Sequence, residues 1–132
     1  MKVSASIDNM INDHQVTVVT NNARKEITIA PKPDGFGSSI NGAELLLLSI
    51  ATCFCNDIYR EANKRKISIQ GVKVTATGEF GADGEPGTNF QYKAEVKSTA
   101  SDIEITALIA HVNAIAEIHN TLRKGIDVTL VQ

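Results

Sequence analysis

Cys53 and Cys55 are the residues of this 132-residue chain best suited to covalent chemistry. A thiolate attacks electrophilic sulfur or oxygen and can be oxidised reversibly to a sulfenic acid. Both cysteines stand inside Gly42 to Lys66, GAELLLLSIATCFCNDIYREANKRK, a run of good helix formers without Pro and with Gly only at its first position. Residues two apart on a helix diverge by ~200°. The two thiols therefore face opposite sides and cannot form a mutual disulfide without unwinding the helix. They are also a poor zinc pair, because structural sites favour two to four intervening residues. Either cysteine can instead pack as a small buried hydrophobe, and composition alone favours that role for both.

Other chemistry is sparse. His14, His111 and His119 are scattered, without metal-ligand spacing to one another or to a cysteine, and His111 reads as a half-exposed helical residue. No Gly-rich phosphate loop and no G-x-S-x-G nucleophile turn is present. No metal and no bound cofactor are expected. A net charge of -2 and a pI near 5.9 argue against a nucleic-acid or anionic-membrane partner. The one basic cluster, Arg60, Lys64, Arg65 and Lys66, falls where the helix should end and reads as a partner for its dipole. MKVSASIDNM has no apolar core of a secretory signal, and no apolar run approaches the ~20 residues of a membrane span. Two cysteines one residue apart are no disulfide framework, so a cytoplasmic location is expected.

The elements that must position Cys53 follow from patterning. Gln15 to Thr20 and Glu26 to Ala30 read as a hairpin turning at Asn21-Asn22. Pro31 to Asn41, PKPDGFGSSIN, is a loop that connects with partial cover. The cysteine helix follows. Its first half is apolar on every face, from Leu45 through Cys55, so it requires burial all round. The rest of the chain offers modest cover, and a second copy is expected to supply the remainder. Val72 to Phe80 and Phe90 to Val96 alternate and form a second hairpin around the turn Gly81 to Gly87. Ser101-Asp102-Ile103-Glu104 is a capping box opening an amphipathic helix through Ile105, Leu108, Ile109, Val112, Ile115 and Ile118. Asn120 to Gly125 ends it, and Ile126 to Val131 reads as a last strand. The expectation is one α+β domain over residues 1–132, ordered ββ-α-ββ-α-β.

Two segments carry a family resemblance. Asn41-Gly42-Ala43-Glu44-Leu45-Leu46-Leu47-Leu48-Ser49-Ile50-Ala51-Thr52-Cys53 resembles the N-P-x-E-L-L-L start and following cysteine of the OsmC/Ohr superfamily. Asn120-Thr121-Leu122-Arg123-Lys124-Gly125 is similar to its S-N-T-L-R-G segment. The resemblance spans nearly the whole chain. It implies an intertwined homodimer with buried central helices, and reduction of organic hydroperoxides by a reactive cysteine, here Cys53. It also implies a resolving cysteine, an activating Arg and a Glu that holds that Arg. This chain departs at each: Ala116 occupies the resolving position, seven residues before Arg123; Ala43 aligns with the Glu; and the first hairpin offers only Arg24. Glu44 is rotated by ~100° and is expected to serve the first helical turn.

Two functions follow from this reading. One is a one-cysteine thiol peroxidase, in which Cys53 reduces a small hydroperoxide and an external thiol or dithiol restores it. That requires a cation near the sulfur, Arg123 or a Lys of a second subunit. The other is a non-catalytic dimer that binds a small apolar or thiol-bearing ligand at the subunit interface. Cys55 is expected to be a spectator.

Overall fold

The computed structural model describes residues 1–132 and divides into two compact units, Met1–Leu45 and Leu46–Gln132. The first unit holds a three-stranded antiparallel sheet in the order β1-β2-β3, with β1 Val3–Met10, β2 Asp13–Thr20 and β3 Ala23–Ile27. Both turns are two residues long, and each uses an Asn in the left-handed region: Asn12 at φ 56° and Asn21 at φ 52°. Asn pays little for that conformation because its side chain can bond locally. The Asn21-Asn22 turn stands as read from sequence. β1 was not expected, although Val3, Ala5 and Ile7 alternate. Residues 31–41 form a connecting loop fastened by Asn9, whose Oδ1 accepts from the Gly37 N–H at 3.0 Å.

Helix α1, Gly42–Lys64, begins at a capping box. Asn41 Oδ1 accepts from the Glu44 N–H, and Glu44 Oε2 accepts from the Asn41 N–H, both at 2.8 Å. Glu44 is thereby committed to the first turn, as its rotation suggested. The helix ends with Lys66 at φ 57° and an Ile67 N–H to Ala62 carbonyl bond of 2.9 Å, a left-handed cap on a residue other than glycine. By length and composition α1 could cross a membrane, a property its sequence was not expected to have.

In the second unit one face of α1 meets strands β4 (Ile69–Glu79) and β5 (Thr88–Ser98) and helices α2 (Asp102–Ile115) and α3 (Glu117–Lys124). The core consists of Phe54, Ile58 and Ala62 from α1, Leu108 and Val112 from α2, and Ala116 between the last two helices. Val72, Val74, Tyr92, Ala94 and Val96 line it from the sheet, at the register Val72↔Val96, Val74↔Ala94 and Ala76↔Tyr92. The period-two alternation read from sequence thus selects the inner face. Near the hairpin's end the Phe90 ring lies over Gly78, where a Cβ would come within 2.9 Å of it.

The α+β class holds, but the order of elements is βββ-α-ββ-α-α. Ile126 to Val131 pairs with no strand and is exposed, because an alternating pattern makes a strand only when another edge satisfies its backbone. The amphipathic helix breaks at Ala116, φ -61° and ψ 115°. Asn120 Nδ2 donates to the Ala114 carbonyl at 3.0 Å and Arg123 to the Asn113 carbonyl at 2.9 Å. Side chains of the Asn120–Arg123 segment thus take up carbonyls that the broken helix leaves free. Within the single chain the all-apolar start of α1 is partly covered: Ile50 is buried while Leu45 and Leu48 are exposed.

The basic cluster does more than face a dipole. Glu61 is buried, yet Lys64 Nζ (2.8 Å), Arg60 Nε (3.0 Å) and His111 Nε2 (3.2 Å) all reach it. Hydrogen bonds from Lys64 and then Arg60 hold its carboxyl down to about 2, from 4.5. A carboxylate depressed by folding contributes stability above its unfolded pKa and loses it as pH falls through the folded one. The urea midpoint is therefore expected to fall between pH 4.5 and about 2, and to fall less steeply in Glu61→Gln. Parallel acid limbs in the two proteins would refute this role.

Candidate functional site

Cys53 lies half-buried on α1 against the core, beside the break that separates α2 from α3. Its thiol faces Asp57, one turn further along, with Sγ donating toward Oδ2 at 3.9 Å. The break brings two more groups to the sulfur from a distant part of the chain. The Glu117 carboxylate joins Asp57, so that one ligand-capable atom from each of the three residues lies within 4.8 Å of the others. The backbone N–H groups of Ile118 and Glu117, in the first turn of α3, also act on Cys53.

These neighbours oppose one another. Burial pushes the Cys53 pKa up. The Ile118 N–H pulls it down, the Asp57 and Glu117 charges push it up, and the Glu117 N–H pulls it down again; the net result is a raised pKa. Burial also raises the Asp57 carboxyl, against the attraction of Arg60, whose Nη1 lies 2.7 Å from Asp57 Oδ1. No cation is among the groups that act on the sulfur, and Arg60 is shared between Asp57 and Glu61.

Arg123, expected as a cation for the thiol, is engaged elsewhere. It bonds the Asn113 carbonyl and the Asn113, Asn120 and Tyr92 side chains. Arg24 donates to Thr17 Oγ1 at 3.1 Å and Glu26 at 3.5 Å. Ala116, in the family's resolving position, is fully buried in the cluster that Cys53 packs against. Cys55 is half-buried and forms no disulfide.

Chemically the site can hold a thiol, accept its proton on a carboxylate, and meet a developing negative charge with backbone N–H groups. Cys53, Asp57 and Glu117 could also hold a metal ion, but Arg60 already satisfies Asp57. Sequence reasoning passed over Asp57 and Glu117. Asp57 carried a signal, standing four residues after Cys53 on the same helix face. Glu117 carried none, because its approach depends on the break.

Asp57→Asn is expected to lower the Cys53 pKa and speed its alkylation near neutral pH. Each unit by which that pKa falls gives about ten times more thiolate. An unchanged rate would mean that burial alone sets this thiol.

Comparison with known proteins supports the fold. The chain is similar to solved structures of the OsmC-like protein of Mycoplasma pneumoniae, with 24% identity, 91% of this chain and 87% of that one covered, and a TM-score of 0.61. The organic hydroperoxide resistance protein OsmC of Legionella pneumophila aligns at 23% identity over 96% and 93%, also with a TM-score of 0.61. The organic hydroperoxide resistance protein of Elizabethkingia anophelis aligns at 18% identity over 96% and 91%, with a TM-score of 0.63. No curated protein matches. The OsmC-like protein family profile matches residues 35–131, which include α1, Cys53 and the Asn120–Gly125 segment. The chain belongs to the OsmC-like family.

Proposed function

We propose that this protein is a cytoplasmic, homodimeric reductase of small organic hydroperoxides that works through one cysteine, Cys53. The observation that carries the reading is the place of that thiol, half-buried on the helix inside the matched family region and beside the first turn of α3. The names of the Legionella and Elizabethkingia proteins support the substrate class. The exposed Leu45 and Leu48 on α1, and the unpaired Ile126 to Val131, support a second copy as cover.

In this reading Cys53 gives its proton to Asp57 or to water. The thiolate attacks one oxygen of the hydroperoxide, the O–O bond breaks, and the alkoxide leaves and is protonated to an alcohol. Sulfur keeps the transferred oxygen as a sulfenic acid. With Ala116 at the resolving position, an external thiol attacks that sulfur and expels water, leaving a mixed disulfide. A second thiol, or the second sulfur of a dithiol, then releases Cys53 and departs as a disulfide.

The raised Cys53 pKa favours a second reading, a non-catalytic dimer that binds a small apolar or thiol-bearing ligand at its interface. A single-turnover assay separates the two. Reduced protein meets one equivalent of cumene hydroperoxide, and peroxide loss and intact mass are followed together. Fast loss with one oxygen added at Cys53, abolished in Cys53→Ser and kept in Cys55→Ser, is the expected result. Loss no faster than with a free thiol would overturn the reductase and leave the binder.

A further inference from the structure

A second candidate site lies in the Leu46–Gln132 unit, between α1, β5 and α3, and its lining does not include Cys53. Here Ile50, Phe90, Tyr92, His119, Leu122 and Arg123 line a cavity of about 140 Å³. Ile50 and His119 are each 4% exposed and form its floor; Phe90, Leu122 and Arg123 are exposed and form its rim.

His119 is the unusual member. Both ring nitrogens are buried without a hydrogen-bond partner. The ring is fixed by aromatic neighbours, with Tyr92 at 4.5 Å and Phe54 at 5.4 Å between centroids, and neither contact satisfies a nitrogen. Buried polar groups are ordinarily paired, and an orphan at the wall of a cavity calls for a partner that enters it. Burial, and secondarily the charge of Arg123, lowers the His119 pKa. A neutral imidazole presents one donor and one acceptor.

Arg123 supplies charge. Its two terminal nitrogens bond four neutral oxygens: the Asn113 carbonyl, Asn113 Oδ1, Asn120 Oδ1 and the Tyr92 hydroxyl. It has no carboxylate partner, and its Nε–H forms no bond to the protein. A guanidinium held in place yet uncompensated at an apolar cavity suits a small anion. The volume is close to that of an apolar protein cavity, about 150 Å³, known to admit benzene. One ring or a short branched chain therefore fits.

We propose that this cavity binds a small aryl or branched-alkyl carboxylate, its carboxylate at Arg123 beside the His119 ring and its apolar body between Ile50, Phe90 and Leu122. The inference goes beyond the reductase reading and does not require Cys53 to react. Its test uses the reduced full-length protein, sodium benzoate as the probe and no peroxide. The ring resonances of the three histidines are followed by NMR through the titration. Saturable shifts confined to His119, with His14 and His111 unmoved, are expected. Benzyl alcohol, of the same size but without charge, is expected to bind at least tenfold more weakly, as loss of a charge-assisted hydrogen bond implies. Arg123→Gln should narrow that difference while its remaining amide keeps a bond to Asn113. Because both ligands are compared on the unaltered protein, the outcome stands even if a variant fails to fold. No shift at His119 up to the solubility of benzoate, or equal affinity for benzoate and benzyl alcohol, would overturn the proposal.

Discussion

Leu48→Glu is expected to turn the proposed dimer into a folded monomer. Leu48 is 58% exposed in the single chain, so glutamate there meets water and leaves the protomer's core intact. Leu and Glu are similarly good helix formers, and far-UV circular dichroism should not change. In a twofold interface each residue counts twice. Burying a leucine is worth roughly 1.5–3 kcal/mol, so the loss is about 3–6 kcal/mol per dimer before any cost of burying charge. That corresponds to roughly 10²–10⁴-fold weaker association. Sedimentation equilibrium across a dilution series measures it directly. A dimer of unchanged affinity would place the interface elsewhere, and a wild-type monomer would remove the dimer altogether.

Phe54→Ala should cost about 3–5 kcal/mol of folding stability, the range for a large aromatic deleted from a close-packed core. Phe54 is fully buried, and its ring lies 4.9 Å from Tyr92 and 5.4 Å from His119. Its removal opens a hole beneath three elements at once, because α1, β5 and α3 all meet there. Urea denaturation reads the loss, and Thr52→Ala, at an exposed position of the same helix, serves as the control. A cost below about 1 kcal/mol would mean that the core collapses freely around the gap. The same variant is expected to loosen His119 and with it the cavity floor. Stability and benzoate binding should therefore fall together in Phe54→Ala, whereas Arg123→Gln should weaken binding with a smaller loss of stability.

The Cys53 environment explains why a family-like cysteine helix does not by itself identify an active enzyme. Two N–H groups favour the thiolate, while burial and two carboxylates disfavour it, and disfavour prevails. The proposed reductase therefore has to work from a thiol whose pKa is raised, and Asp57→Asn tests how far the neighbouring charge holds it there.

Much of this protein was legible in its sequence, wherever the determining interactions are local. The capping box at Ser101 and Glu104, the Asn21-Asn22 turn and the alternation that turns Tyr92, Ala94 and Val96 inward all lie within a few residues of their causes. So does the divergence of Cys53 from Cys55, which helical geometry fixes. The two motif segments, both inside the matched family region, were legible by their resemblance to the family's motifs. Tertiary structure alone decided the rest, because the partners are far apart in the chain. Ala116 carries no breaking signal, and at the break Asn120 and Arg123 take up the carbonyls of Ala114 and Asn113. That break sets Glu117 and the Ile118 N–H against a thiol more than sixty residues away, and so determines its pKa. It also turns His119 inward against Phe54 and Tyr92, where burial removes its water and leaves two nitrogens without partners. Ile126 to Val131 has the alternation of a strand and remains unpaired, since pattern selects a face but only a second edge makes a sheet.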